Sequence, residues 1–403
     1  MSNDLPTLVQ RIDAAAAVLR PELIQIRRQI HANPELARQE VATSTLVAAR
    51  LRQAGLQVQP LAGTGLVCDI APTFPASQPR RVILRADLDA LPVRETSGLP
   101  FAASNGHAHA CGHDVHSTVV LGAGLVLAQL AAAGQLAAQV RLLFQPAEEV
   151  QPGGAQDVLA ARGLADYQEI YTLHCDPKLD VGYIGSRIGP ITSASDAVTV
   201  TVSGPGGHTS RPHNSADVVF ALGQVITQVP SILGRRLDPR SGVNLTWGAV
   251  HAGTATNAIP SVGSVTGTMR CLDANAWEQA EGILEQVVEQ VVAPYQVGVS
   301  LDLVRGVPPV VNDEACVHRF DAAARAVLGD DAVVLTEQSL GGEDFGWYLG
   351  SQESGHDPSL EPIRGAMVRL GTRTPGGPTY DLHQPDLVID EQAIDHGVRV
   401  LAA

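Results

Sequence analysis

The chain has 403 residues, 45% of them apolar and 17% charged, with 39 glycines, 26 prolines and a formal charge of −15 at pH 7. That length suits two domains and a buried core large enough to need no covalent staple. The acidic balance argues against a nucleic-acid groove or an anionic membrane surface, which need basic patches, and leaves room for a local cationic pocket.

In chain order, "MSNDLPTLVQ" lacks the basic segment and apolar run of a signal peptide. Residues 6–31 and 41–54 read as helices, the second closed by Gly55. "GLVCDIAP" and "RVILRADL" read as strands. "TVVLGAGLVLAQLAAAG", from Thr118 to Gly134, reads as a buried helix too short to span a bilayer. "AQVRLLFQ" and "EIYTLHC" follow as buried strands. Strands alternating with helices in this way predict a mostly parallel sheet with helices on both faces.

The pattern changes near Ile191. "SDAVTVTVSG" alternates with period two, as a half-solvated strand does. A helix over 216–233, strands in "VNLTWGAVHAG" and "SVGSVTGTMRCL", a helix over 275–293 and the strand "VSLDLVRG" complete a split-βαβ unit. The expected organisation is a discontinuous larger α/β domain, 1–190 and 308–403, with a small α+β domain, 191–307, set into it. Cys68, Cys111, Cys175, Cys271 and Cys316 are odd in number and scattered, so no disulfide framework is implied and a reducing cytoplasm fits.

The chemistry concentrates at strand ends. "HACGHDVHST" holds Cys111 and His113 two residues apart, close enough for a thiolate and an imidazole to reach one metal ion from a loop. "FQPAEEV" puts Glu148 and Glu149 after a buried strand; one can bind a metal while the other faces water, and adjacent carboxylates raise each other's pKa as a general base requires. "EIYTLHCD" places His174 at the end of the next strand, and "TYDLHQPD" places His383 in a loop. Asp87 and Asp89 in "RADLDALP" could orient ligands. Each has a plainer reading as a turn, helix-cap or surface residue. Together they set metal-ligating types along one rim, where open α/β sheets bind ligands. Cys, His, Glu, His and His suit Zn²⁺, Co²⁺, Ni²⁺ or Mn²⁺ better than Ca²⁺ or Mg²⁺. Five donors exceed one tetrahedral site, and two ions sharing a bridging ligand would use them.

At this point the chain resembles the M20 metallopeptidases, specifically the amidohydrolases that act on hippurate, N-acyl amino acids and auxin conjugates. "HANPELARQE", "LRADLDALPVRE", "HACGHDVHST", "FQPAEE", "GPGGHTSRPH", "TNAIP", "GGEDF" and "DLHQPD" occur in the family's order over nearly the whole chain. The resemblance implies a binuclear site of Cys111, His113, Glu149, His174 and His383, with Cys111 bridging. It implies an orienting role for Asp89, none as a ligand for Asp87, and a supporting role for Glu343 and Asp344. Glu148 would be the general base, taking a proton from a metal-activated water and passing it to the leaving amine. His208 would stabilise the oxyanion from a partner subunit, in a dimer or tetramer built through the ferredoxin-like lid. Asn257 and Arg270 would contact substrate, Arg270 pairing with an α-carboxylate. The expected reaction is cleavage of an N-acyl amino acid to a carboxylic acid and an amino acid. Rival readings are a dipeptidase or carboxypeptidase of the same family, and a deacetylase of N-acetyl-diaminopimelate or N-acetylcysteine. A non-catalytic metal-dependent binding protein and a structural zinc protein are the readings from other classes.

Overall fold

The computed structural model describes residues 5–61, 63–74, 79–151, 153–349 and 363–403; the first four residues of "MSNDLPTLVQ" lie outside them. A large mixed sheet carries the site. Its inner strands Gln139–Gln145, Arg81–Asp87, Glu169–Asp180 and Arg364–Arg373 lie side by side and parallel. Leu66–Ile70 joins antiparallel on one side and Ile184–Ser186 on the other.

The inner strands are buried on both faces, which is why they read as unbroken apolar runs. Successive residues go to opposite cores. Leu84, Leu142, Tyr171 and Val368 face one, with Leu5–Ala32, His113–Ala132, Glu314–Leu328 and Gln392–Ala402 packed over them. Ile83, Leu143, Ile170 and Met367 face the other. Each fully buried Leu, Val or Ile there contributes about 1.5–3 kcal/mol.

The long apolar helix starts earlier than its hydropathy suggests. It runs His113–Ala132, twenty residues, so the motif histidines 113 and 116 sit in its first turn. By length and composition it could cross a membrane, as could Val218–Arg236; the first is mostly buried against the sheet and neighbouring helices. Gly112 begins it at φ 85°, and a Cβ there would lie 2.8 Å from Cys175 Sγ. Both conditions demand glycine between Cys111 and His113.

The second sheet is antiparallel and four-stranded: Asn244–Ala252, Val262–Cys271, Ala194–Ser203, Gly298–Val307 in spatial order. Helices Val218–Arg236 and Ala274–Val292 pack on it. Asp217 and Asp273 cap them by accepting from the N–H of Phe220 and Ala276. Strand-helix-strand-strand-helix-strand with this order is the ferredoxin-like arrangement.

Candidate metal centre and active site

A cleft of about 490 Å³ opens between the two sheets, lined by Cys111, Glu148, Glu149, His174, Arg270, Glu343, Arg369 and His383 among others. His113 is fully buried behind it. His174 is not at a strand end as its sequence suggests, because Glu169–Asp180 continues six residues beyond it. Its pairing with Arg81–Asp87 stops at Thr172, and that early stop opens the sheet beside His174.

Hydrogen bonds fix the histidine tautomers. His113 Nδ1–H donates to the Asp89 carbonyl (2.8 Å), which turns Nε2 into the site. His174 Nδ1–H donates to the Cys175 carbonyl (2.8 Å), leaving Nε2 3.5 Å from Cys111 Sγ. Metal-ligating imidazoles are held in this way. His113 Nε2 lies 3.7 Å from Glu149 Oε1, and among the described residues neither buried atom has a hydrogen-bond partner. His383 Nε2 lies 3.6 Å from Glu149 Oε2. His383 has φ 62°, and its N–H donates to the Ala110 carbonyl (2.8 Å), tying its loop to that of Cys111. A non-glycine residue held in the left-handed region is costly and clusters at functional sites.

Two groups of donors form around one sulfur. Cys111, His113 and His174 have ligand atoms within 4.8 Å of one another, and so do Cys111, Glu149 and His383. This donor set fits two borderline-soft divalent cations sharing Cys111, and the orphaned nitrogen and oxygen are what such cations would satisfy. A third group, Asp87, His113 and His116, meets the same distance criterion. Its atoms are already used: His116 Nδ1–H donates to Asp87 Oδ1 (2.7 Å), Cys175 N–H donates to His116 Nε2 (2.8 Å), and Asp87 Oδ2 takes Arg85 (2.8 Å). That cluster supports the site from beneath.

Asp89 accepts the N–H of Glu148 on one oxygen (3.0 Å) and of Glu149 on the other (2.9 Å). Ala147, at φ 56°, turns the chain just before them, its N–H held by Glu40 (2.8 Å). Glu343 and Asp344 close the far side through the fully buried Arg85, at 3.1 and 3.0 Å. Asp344 also accepts from Gln145 and from the N–H of Ala155.

The site is short of positive charge. Burial, then Glu343 and Glu149, push Glu148 well above the carboxylate range. Burial raises Glu149 to about 7 against the pull of His113, and Asp344 to about 8. Burial and the two adjacent glutamates hold the Cys111 thiol well up. Against its burial, Asp87 and its neighbours raise His113 to about 10. Divalent ions would displace these protons and bind the ionised forms.

Of the remaining expected residues, Arg270 lines the cleft and His208 and Asn257 do not. Arg270 reaches the cleft from the four-stranded sheet, Nη1 donating to the Leu340 carbonyl (2.5 Å). His208 and Asn257 are exposed on a short two-stranded ribbon, joined by Thr209 N–H to the Asn257 carbonyl (3.2 Å), and neither lines the cleft of its own chain. Three features escaped the sequence reading. Arg85 bridges distant carboxylates, Arg369 lines the cleft, and Asp114 joins Arg27 (2.7 Å) and His31 (2.8 Å) in a buried cluster under the Cys111 loop. Arg85 and Arg369 stand inside apolar strand runs, and only the fold reveals what they face.

Known proteins share this arrangement. Residues 83–403 match the model of peptidase family M20/M25/M40. A Rhodococcus jostii protein that carries a glutamate–cysteine ligase name is 44% identical over 95% of this chain, which spans only about half (46%) of that protein. The N-acetyl-L-cysteine deacetylase of Bacillus subtilis is 35% identical over 97% of this chain and 89% of its own length. The crystal structure of a Bacillus subtilis dinuclear metal-binding peptidase of the M20 family superposes with a TM-score of 0.80, at 31% identity, covering 96% of this chain and 98% of that one. The chain belongs to peptidase family M20/M25/M40 and is a metal-dependent hydrolase acting on amide bonds.

Proposed function

We propose that the protein hydrolyses the amide bond of N-acyl amino acids, releasing a carboxylic acid and a free amino acid, with Glu148 as general base. The observation that carries this reading is the pair of donor groups sharing Cys111, with Glu148 Oε2 3.9 Å from His113 Nε2 and no ligand role needed of it. Two divalent ions held by Cys111, His113, Glu149, His174 and His383 would supply Lewis acidity, polarising a carbonyl and lowering the pKa of water to near neutral. Zn²⁺, Mn²⁺, Co²⁺ or Ni²⁺ suit the donors.

Glu148 takes the proton of the attacking water and returns it to the leaving nitrogen. Asp89 holds Glu148 and Glu149 in register through their backbone N–H groups. Arg270 pairs with the substrate's α-carboxylate at the cleft wall. His208 and Asn257, exposed and outside their own chain's cleft, act on the site of a second subunit, His208 on the oxyanion, in a homodimer. The likeness to an N-acetyl-L-cysteine deacetylase favours small acyl groups over the benzoyl of hippurate.

The test is release of free amino acid from N-acetyl, N-benzoyl and indole-acetyl conjugates and from dipeptides. Turnover of acylated amino acids is expected, and turnover of dipeptides alone would replace this reading with a dipeptidase.

A further inference from the structure

Arg369 is a buried cation that the chemistry above leaves unused. It lies within the strand Arg364–Arg373, in register with the candidate ligand His174 on one side and Gly185 on the other. Residues opposite one another on neighbouring strands share a face, so Arg369 and His174 project together. Gly185 makes room for it: a Cβ there would lie 3.0 Å from Arg369 Cβ and 2.9 Å from Thr336 Cβ.

The residue is only 8% exposed. Among the described residues its guanidinium has no hydrogen bond and no carboxylate within 4 Å, although Asp176 and Glu343 are near enough to act on it through space. Of the other arginines around the site, Arg85 is committed to Asp87, Glu343 and Asp344, and Arg270, which gives Nη1 to the Leu340 carbonyl, is the one assigned the α-carboxylate above. A buried cation without a partner is expensive, and proteins keep one where something binds it.

Arg369 borders two cavities. It lines the catalytic cleft and also a second chamber of about 330 Å³. Ser339, Asp381 and Leu382 are shared by both, so the chamber is a side room of the cleft. Thr336, Gln338 and Lys178 give it polar walls, and the carboxylates of Asp176, Glu337 and Asp381 line it as well, so an anion there would depend on Arg369 itself. Lys178 is already paired with Asp381 at 3.2 Å, which leaves Arg369 as the uncommitted cation among its described lining residues.

We propose that Arg369 is a specificity-determining residue that binds a second anionic group of the substrate, one that extends from the scissile amide into the side chamber. This rests on the amide-hydrolysis reading and names its substrate class. One anion, the α-carboxylate, goes to Arg270, and a second carboxylate, on the amino-acid side chain or on the acyl chain, goes to Arg369. A planar guanidinium matches a carboxylate with two parallel hydrogen bonds, which neutral polar groups cannot offer it.

Matched acid and neutral substrates test this on metal-loaded enzyme. One arm compares N-acetyl-L-glutamate with N-acetyl-L-glutamine, and the other N-succinyl-L-leucine with N-succinamoyl-L-leucine. In at least one arm the wild type should prefer the acid by about 10- to 100-fold in kcat/KM, the worth of a charge-assisted bond. The arm that shows it tells which half of the substrate fills the chamber. Arg369→Gln should bring that ratio close to one, mainly through KM, and Arg369→Lys should restore part of it. Calorimetric binding of the same four compounds to the inactive, metal-loaded E148Q protein gives a readout independent of turnover. No acid preference in either arm, or a preference that Arg369→Gln leaves intact, would overturn the proposal. Absence of amide cleavage with acid-selective binding would instead count against the hydrolase reading alone.

Discussion

The carboxylate of Asp89 holds the backbone of both glutamates: one oxygen accepts Glu148 N–H at 3.0 Å and the other accepts Glu149 N–H at 2.9 Å. One side chain therefore sets the placement of the proposed base and of a proposed ligand. Removing it strands two N–H groups in a buried site. Asp89→Ala should cost about 10- to 100-fold in kcat/KM, as loss of an orienting partner typically does. Asp89→Asn keeps one acceptor oxygen and should fall between. Steady-state kinetics with metal analysis checks this, and full activity in Asp89→Ala would remove Asp89 from the account.

Cys111 belongs to both donor groups, so its loss should weaken both ions together. Cys111→Ser should retain fewer metal ions per chain after dialysis and, with Co²⁺, should lose the near-ultraviolet thiolate absorption. Chelator treatment of the wild type should lower Tm, because ions that bind only the folded state stabilise it, by about 2.7 kcal/mol at a hundredfold excess over Kd. Elemental analysis and calorimetry read these effects. Loss of one ion alone would show that Cys111 does not bridge.

How much of this is legible in the sequence differs residue by residue. Cys111, His113, Glu148 and Glu149 stand in short local motifs, and the fold brings His174 and His383 to them from other strands and loops. The alternation "SDAVTVTVSG" gives the small antiparallel sheet because one face of it is solvated. The start of the long helix at His113 is hidden because its first turn is polar yet buried. Arg85 and Arg369 are hidden for the opposite reason: they are charged residues inside apolar runs, Arg85 meeting Glu343 258 positions away and Arg369 having no hydrogen-bond partner among the described residues. Pairing at that separation is a property of the sheet order, which no local pattern encodes.

Beneath the Cys111 loop, Asp114 Oδ2 joins Arg27 Nε at 2.7 Å and His31 Nδ1 at 2.8 Å, and His31 Nε2 meets Glu95 at 3.0 Å. Burial works against the charge on His31, but Asp114 and Glu95 outweigh it and raise its pKa above the ordinary 6.5. Against its own burial, Asp114 is held far below the carboxylate range by Arg27 and His31. A raised histidine stabilises fully below its unfolded pKa and loses that contribution as pH rises through its folded value. A depressed carboxylate stabilises above its unfolded pKa and loses that as pH falls. The Tm gap between wild type and His31→Gln should therefore be widest near pH 5.5–6 and narrow from about pH 6.5 upward. A gap that widens with pH would contradict the charged His31–Asp114 pair.

The exposed His208, which is not among the residues lining its own chain's cleft, gives a mixing test. His208→Ala and Glu148→Gln should each be nearly inactive, with losses on the order of 100-fold or more. Unfolded and refolded together, they should form mixed dimers in which one site has both residues, and activity should return. No recovery in a verified mixed dimer would place His208 in its own subunit's site.

The most direct measurement of the central claim is amino-acid release from N-acetyl amino acids by metal-stripped protein, before and after reloading with Zn²⁺, Mn²⁺, Co²⁺ or Ni²⁺. Glu148→Gln is carried alongside, with metal content counted for each. The account predicts no turnover when stripped and turnover at about two ions per chain. It predicts a Glu148→Gln protein that binds the same ions and is slowed by at least about 100-fold. Turnover that persists without metal, or a fully active Glu148→Gln protein, would contradict it.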